Sequence, residues 1–142
     1  MSLRRRAFTL VEILIVVVIL GILAAIVTPQ FVNARDDAAK GTTVSELEKL
    51  RRAIDVFRAR NSNQVPAVTA GDRTWGPLVG TGEYLKDGPR NPWVGSANAG
   101  VIILRDSPDV AYQSTYGWIY DPATGRVWAG GFDANDDPLP KP

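Results

Sequence analysis

The stretch RRRAFTLVE (residues 4–12), followed without interruption by ILIVVVILGILAAIV (residues 13–27), decides how the whole chain is read. Residues 8–27 hold 17 apolar side chains in 20 positions, and residues 13–27 contain no polar side chain and one glycine, Gly21. Twenty helical residues rise about 30 Å, the thickness of a bilayer's hydrocarbon core, so this run is expected to be a transmembrane helix. Arg4, Arg5 and Arg6 flank its N-terminal side, which places that end in the cytoplasm and sends the rest of the chain across. A secretory signal peptide has a shorter apolar stretch and a small-x-small cleavage site, whereas Leu23 stands at the minus-three position before Ala25. A plain membrane anchor accounts for the length but not for Glu12, because a lone carboxylate at membrane depth costs about 2.5 to 3.5 kcal/mol.

Outside this segment the chain is lean. Of 142 residues, 45% are hydrophobic and 22% charged, but the 122 residues outside 8–27 are only about 39% apolar. Length and composition suit one modest domain and exclude a disordered chain. Sixteen basic against fifteen acidic residues give +1, with no basic stripe beyond the N-terminus, so a nucleic-acid partner has no electrostatic footprint. With no cysteine and no histidine, a disulfide scaffold, a thiolate metal site and Ser-His-Asp or Cys-His catalysis are excluded. No acid–base pair, phosphate loop or nucleophile arrangement stands out, so an enzyme is not expected.

The string from Arg4 to Glu12, with the long apolar run, Gly21-Ile-Leu-Ala-Ala-Ile and Pro29, resembles the leader and cleavage site of type IV pilins and type II secretion pseudopilins. The resemblance covers residues 4–31. It implies cleavage between Ala7 and Phe8 by prepilin peptidase and methylation of the new amine of Phe8. Ala7 departs from the family's usual glycine but is also small. Cleavage would leave a cationic amine on Phe8 one helical turn from Glu12, on the same side. In the family that glutamate is held to meet the amine of the next subunit, which makes Phe8 and Glu12 the expected assembly pair. Removal of residues 1–7 takes three arginines with it, leaving 13 basic against 15 acidic side chains, so the +1 belongs to the leader.

Pro29 removes a backbone donor and clashes with the carbonyl of Ala25, so the helix is expected to loosen between Gly21 and Pro29. By resemblance these two bracket a stretch able to unwind in assembled filaments; the simpler alternative is that Pro29 marks where the span leaves the membrane. Beyond it the sequence turns amphipathic. Val44, Leu47, Leu50, Ile54 and Phe57 form one apolar stripe at helical spacing, read as core packing. Asp36 with Lys40, Glu48 with Arg52 and Arg51 with Asp55 are opposite charges four apart. One helix is expected from Phe8 to Arg60, ended by Asn61-Ser62-Asn63.

Residues 64–100 are dense in Gly and Pro and read as an irregular loop, with one short helical turn near Pro77 to Leu85 and with Trp75, Tyr84 and Trp93 pinning it to the domain. Val101 to Leu104, Tyr116 to Tyr120 and Arg126 to Ala129 read as strands, the last two joined by the turn Asp121-Pro-Ala-Thr-Gly125. Asp133, Asn135 and Asp137 stand at i, i+2, i+4, an oxygen-ligand spacing that suits Ca²⁺, although Pro138 occupies the position where an EF-hand loop needs glycine. Major pseudopilins carry a calcium site in a C-terminal loop, and this acidic loop lies in the corresponding region without matching that loop's pattern. The alternative is a solvated acidic turn.

The expected fold is α+β, a long N-terminal helix packed on a small antiparallel sheet. The divisions are a leader (1–7), a transmembrane and filament-core helix (8–30), its amphipathic half (31–61) and a loop-and-sheet head (62–142). The resemblance is greatest to the major, G-type pseudopilin. It implies a homo-oligomeric filament in the periplasm, built from an inner-membrane, single-pass precursor with cytoplasmic N-terminus. The implied partners are prepilin peptidase, an inner-membrane assembly platform, minor pseudopilins and membrane lipid. A type IV pilin for adhesion, motility or DNA uptake is one alternative, and a membrane-anchored periplasmic binding module or enzyme is another.

Overall fold

The computed structural model describes residues 8–142, apart from the side chains of residues 27–32. Helix α1 spans Leu10–Arg60, 51 residues. It ends where the sequence predicts. Ser62 and Asn63 turn left-handed, at φ 52° and 64°, and the N–H of Asn63 bonds back to the carbonyl of Arg58 at 2.8 Å. Helical structure is continuous through Gly21 and Pro29. The expected loosening does not interrupt the helix; the side chain of Pro29 lies outside the described residues.

The chain divides into two compact units, Met1–Asp36 and Asp37–Pro142. In the first, every large apolar side chain from Phe8 to Ile26 is more than half exposed. Among the described residues no helix is long and apolar enough to cross a membrane.

In the second unit α1 turns its stripe inward. Leu47, Leu50 and Ile54 are buried, with Val44 and Phe57 packed beside them, against Trp75, Trp118, Tyr120, Val127 and Phe132. The residues expected to pin the irregular loop do so. Trp75 is fully buried edge-on to Trp118 and Tyr120, Trp93 meets Phe132, and Tyr84 meets Phe57. Trp75 has a left-handed backbone, φ 58°, a conformation costing a bulky residue about 1 to 2 kcal/mol, offset by burying an entire indole. The short helical turn α2 covers Pro77–Gly80, fewer residues than expected.

The sheet has three strands, β1 (Ile102–Leu104), β2 (Trp118–Tyr120) and β3 (Val127–Ala129), in that order. The β2–β3 hairpin is antiparallel as predicted, pairing Ile119 with Trp128. Its turn is tied by Asp121, whose carboxylate accepts the N–H of Ala123 at 2.9 Å. The expected all-antiparallel sheet is corrected at β1, which pairs with β2 in parallel, Ile103 opposite Ile119. A parallel pair needs a crossover of about a dozen residues, and residues 105–117 supply it. The buried carboxylate of Asp109 organises that crossover. It accepts from Arg105 Nη2 (2.6 Å), Tyr116 Oη (2.6 Å), Gln113 Nε2 (3.1 Å) and the N–H of Gly131 (2.8 Å).

Helix, loop and sheet meet at Asn91, which is fully buried. Its Oδ1 accepts from Thr43 Oγ1 and from the N–H of Trp93, each at 2.9 Å. Its Nδ2 donates to the carbonyls of Gly117 (2.9 Å) and Gly130 (2.8 Å). Both glycines are required by close approach: a Cβ on Gly117 would lie 2.2 Å from the carbonyl oxygen of Ala99, and one on Gly130 2.5 Å from that of Tyr116.

Asn91→Leu leaves the Gly130 carbonyl and the Trp93 N–H to find new partners, while the Gly117 carbonyl keeps the N–H of Gly130 and the Thr43 hydroxyl keeps the Ala39 carbonyl, so it is expected to destabilise the chain by roughly 2 kcal/mol or more, read from its denaturant midpoint. For Asp109, burial pushes the carboxyl up, but the hydrogen bonds from Gly131, Tyr116, Arg105 and Gln113 outweigh it and hold the group below its ordinary value. Its stabilisation is thus fully present above the unfolded value, about pH 4, and is lost as pH falls through the folded one. The melting temperature should fall on acidification below about pH 4, and Asp109→Asn should flatten that part of the profile; an unchanged acid limb would count against this assignment.

Candidate functional site

The N-terminus of α1 carries the residues the sequence singles out. Ala7 lies outside the described residues, so of the cleavage pair only Phe8 is seen, 78% exposed. Thr9 stands immediately before the helix and Glu12 three residues on. The N–H of Thr9 donates to Glu12 Oε2 at 2.9 Å, Thr9 Oγ1 donates to the same oxygen at 3.0 Å, and the N–H of Glu12 reaches Thr9 Oγ1 at 3.2 Å. This is a capping box, in which the N-cap hydroxyl and the N3 carboxylate satisfy each other's backbone donors. Thr-x-x-Glu before an apolar run was its signal, and reading Glu12 only for its charge missed it. The box explains why the helix starts at Leu10 rather than Phe8.

The box also aims the carboxylate. Glu12 is drawn back along the helix toward the backbone that follows Phe8, and its Oε1 accepts no hydrogen bond among the described residues. A cationic amine at Phe8 would therefore meet an anion held in place at the positive end of a helix, with one oxygen open. From here the helix is apolar on all sides, with exposures between 52% and 81% from Leu10 to Ile26. A helix apolar all round requires cover from lipid or from other helices. Gly21 adds a bare strip to it, with nothing within 4 Å of where a Cβ would stand.

The C-terminal loop holds the other predicted set. Asp133 Oδ1 accepts the N–H groups of Asn135 (2.8 Å) and Asp137 (3.0 Å), and its Oδ2 faces Asn135 Nδ2 at 3.5 Å. These backbone donors hold its carboxyl below the usual value. Asp137 faces Lys40 Nζ at 3.8 Å. Asp136, left out of the sequence reading, forms a bidentate pair with Arg51, Nη1–Oδ2 2.6 Å and Nη2–Oδ1 2.9 Å, and Arg51 also reaches the carbonyl of Val127 at 3.2 Å. The helix pairing expected of Arg51 with Asp55 is replaced by this one, since a planar guanidinium finds a better match in a carboxylate it can grip with two bonds.

In this conformation Asp133, Asn135 and Asp137 do not fit a Ca²⁺ shell. One oxygen of Asp133 is taken by two N–H groups, the amide of Asn135 turns its nitrogen inward, and Asp137 faces an ammonium. Among the described residues no three acidic groups converge on a metal position. The loop is instead held to α1 by organic cations. Arg51→Met is expected to lower the melting temperature, while millimolar Ca²⁺ leaves that of the unsubstituted chain unchanged. A calcium-dependent rise that disappears in Asp133→Ala would restore the metal reading.

Comparison with known proteins gives this geometry its context. Residues 2–28 match the prokaryotic N-terminal methylation motif. The chain is similar to type II secretion system core protein G of Klebsiella pneumoniae, 33% identical over 102 residues, covering 63% of this chain and 70% of that protein. It is also similar to the protein of the same name from Escherichia coli (strain K12), 33% over 98 residues, covering 63% and 68%. The Vibrio cholerae protein is 31% identical over 97 residues, covering 63% and 66%. No solved structure matches. With a methylation motif over its capped apolar helix and a small sheet head behind it, the chain belongs to the family of type II secretion system core protein G, the pseudopilins.

Proposed function

We propose that this chain is the repeating structural subunit of a periplasmic pseudopilus that serves type II protein secretion. The single observation that carries the reading is the capped, all-round apolar helix with Glu12 at its first turn and one carboxylate oxygen unengaged. Prepilin peptidase cuts between Ala7 and Phe8 and methylates the new amine. The subunit waits in the inner membrane through residues 8–30, with its N-terminus cytoplasmic and its head periplasmic. An assembly platform and minor pseudopilins then bring it into the filament. Its role is structural rather than catalytic.

The energetics favour assembly over waiting. A carboxylate alone in hydrocarbon costs about 2.5 to 3.5 kcal/mol, and a neighbouring subunit's cationic Phe8 amine supplies its counter-charge. The same neighbour's apolar side chains cover the surface that lipid covers before assembly. The position of the amine relative to the carboxylate then sets the register between copies. Loosening of α1 between Gly21 and Pro29 belongs to this assembled state.

Mass measurement and N-terminal sequencing of the membrane-extracted protein should find a chain that starts at methylated Phe8. Glu12→Ala should be processed and retained in the membrane but yield about tenfold fewer filaments by electron microscopy, a loss on the scale of one buried charge pair. Filaments built from chains that retain Met1, or undiminished filaments from Glu12→Ala, would overturn the reading.

A further inference from the structure

The crossover loop presents Val110 as a knob. It is 94% exposed, more than any other large apolar side chain among the described residues. Its neighbour Asp109 is the opposite, 6% exposed and gripped by the four hydrogen bonds that organise the crossover. The peptide that carries Val110 is therefore anchored at its base. An apolar side chain presented on an anchored loop loses little freedom on docking, which favours binding.

A groove of about 330 Å³ lies elsewhere on the head, floored by Ala53, Val56, Tyr84 and Leu85, with Lys49 and Arg52 on its rim. Val56 is 44% exposed there. Knob and groove lie on different flanks of α1. The knob's loop, through Asp106, Ser107 and Pro108, borders a depression whose helical wall is Arg51, Asp55 and Arg58. The groove's helical wall is Lys49, Arg52 and Val56. Arg51 is two positions from Lys49, and Arg58 two from Val56; residues two apart on a helix point about 160° apart.

Charge agrees with shape. On the groove's rim Lys49 is paired with Glu46 at 2.6 Å and Glu83 with Arg60, which leaves Arg52 without an ion-pair partner among the described residues. Beside the knob, Arg105 is paired with Asp109, and the exposed Asp106 has no partner among the described residues. An unpaired anion thus flanks the knob and an unpaired cation flanks the groove.

We propose that Val110 of one copy of this chain seats in the groove of the next, with Asp106 facing the next copy's Arg52. The inference rests on the filament reading above and adds to it a contact between heads. Because knob and groove occupy different faces, the contact is heterologous: each copy gives its knob to one neighbour and its groove to another. Such a contact does not close on itself as a two-fold pair and propagates into a ring or a helix. It thereby gives the heads a register of their own, independent of the Phe8–Glu12 pair in the filament core.

The chain contains no cysteine, so engineered pairs report cleanly. The test is oxidation of the full-length chain carrying Val110→Cys with Val56→Cys, in membranes where the unsubstituted chain is imaged in parallel for filaments. The expected result is a ladder of covalent dimers, trimers and higher species, with each single variant staying monomeric. Filaments without a ladder overturn the head contact and leave the filament reading standing. Dimers from Val110→Cys alone overturn it in favour of a two-fold contact. Unsubstituted chain that forms no filaments removes the filament reading, and the head contact with it. A second variant, Val110→Asp, should keep its melting temperature, since the side chain is exposed in the single subunit, yet lower filament yield by about tenfold. Undiminished yield, or cross-links only to a secreted protein in transit, overturns the proposal.

Discussion

One buried amide carries the head. Asn91 joins α1 through Thr43, the loop through its own backbone and Trp93, and β2 and β3 through the carbonyls of Gly117 and Gly130. All four hydrogen bonds that an amide side chain commonly makes are formed, in a place water does not reach. Such a group is stabilising only when every partner is in position, so it demands the arrangement it supports. A head with three three-residue strands has few ladder bonds to define itself, and a fully satisfied polar centre supplies the specificity that a larger sheet would get from its register.

Two further charge centres do comparable work at the head's edges, each by giving a carboxylate donors fixed in place where water would be mobile. Asp109 gathers its donors around the crossover loop, which is why β1 can run parallel to β2 in so small a head. Asp136 takes a guanidinium from α1 and closes the C-terminal loop over β3. In the same loop Asp137 faces Lys40 of α1 on the solvent-exposed side. Charge near charge, rather than spacing along the chain, decides what an acidic run is for.

At the other end of α1 the same economy of polar groups has a different result. Thr9 and Glu12 satisfy each other's backbone donors and leave one oxygen and an entire apolar surface without partners in the single chain. The subunit is thus stable alone only with lipid around its helix, and it has reason to exchange lipid for copies of itself. The head and the helix contribute differently to that exchange. In the proposed filament the helix contributes apolar area with little direction, and register comes from the charge at Glu12. Any contact between heads must be heterologous to agree with a helical filament, a condition that Val110 and the groove beside Val56 meet.

By itself the sequence determined the long helix and its end at Asn61-Ser62-Asn63, the inward stripe from Val44 to Phe57, the β2–β3 hairpin and the prepilin-like N-terminus. Each of these rests on local chemistry: period along a helix, a turn's preference for Asp, Pro and Gly, a run of apolar residues beside a block of arginines. The capping box was legible too, since Thr9 and Glu12 are three residues apart. Tertiary structure alone decided the parallel pairing of β1, the roles of Asn91 and Asp109, and the fate of the acidic loop. The partners concerned lie far apart in the chain, 85 residues for Arg51 and Asp136 and 48 for Thr43 and Asn91. A carboxylate or an amide looks the same in a sequence whether it will meet a metal, a guanidinium or a backbone N–H. Which of these it meets is set by what the folded chain brings within about 3 Å, the reach of a hydrogen bond.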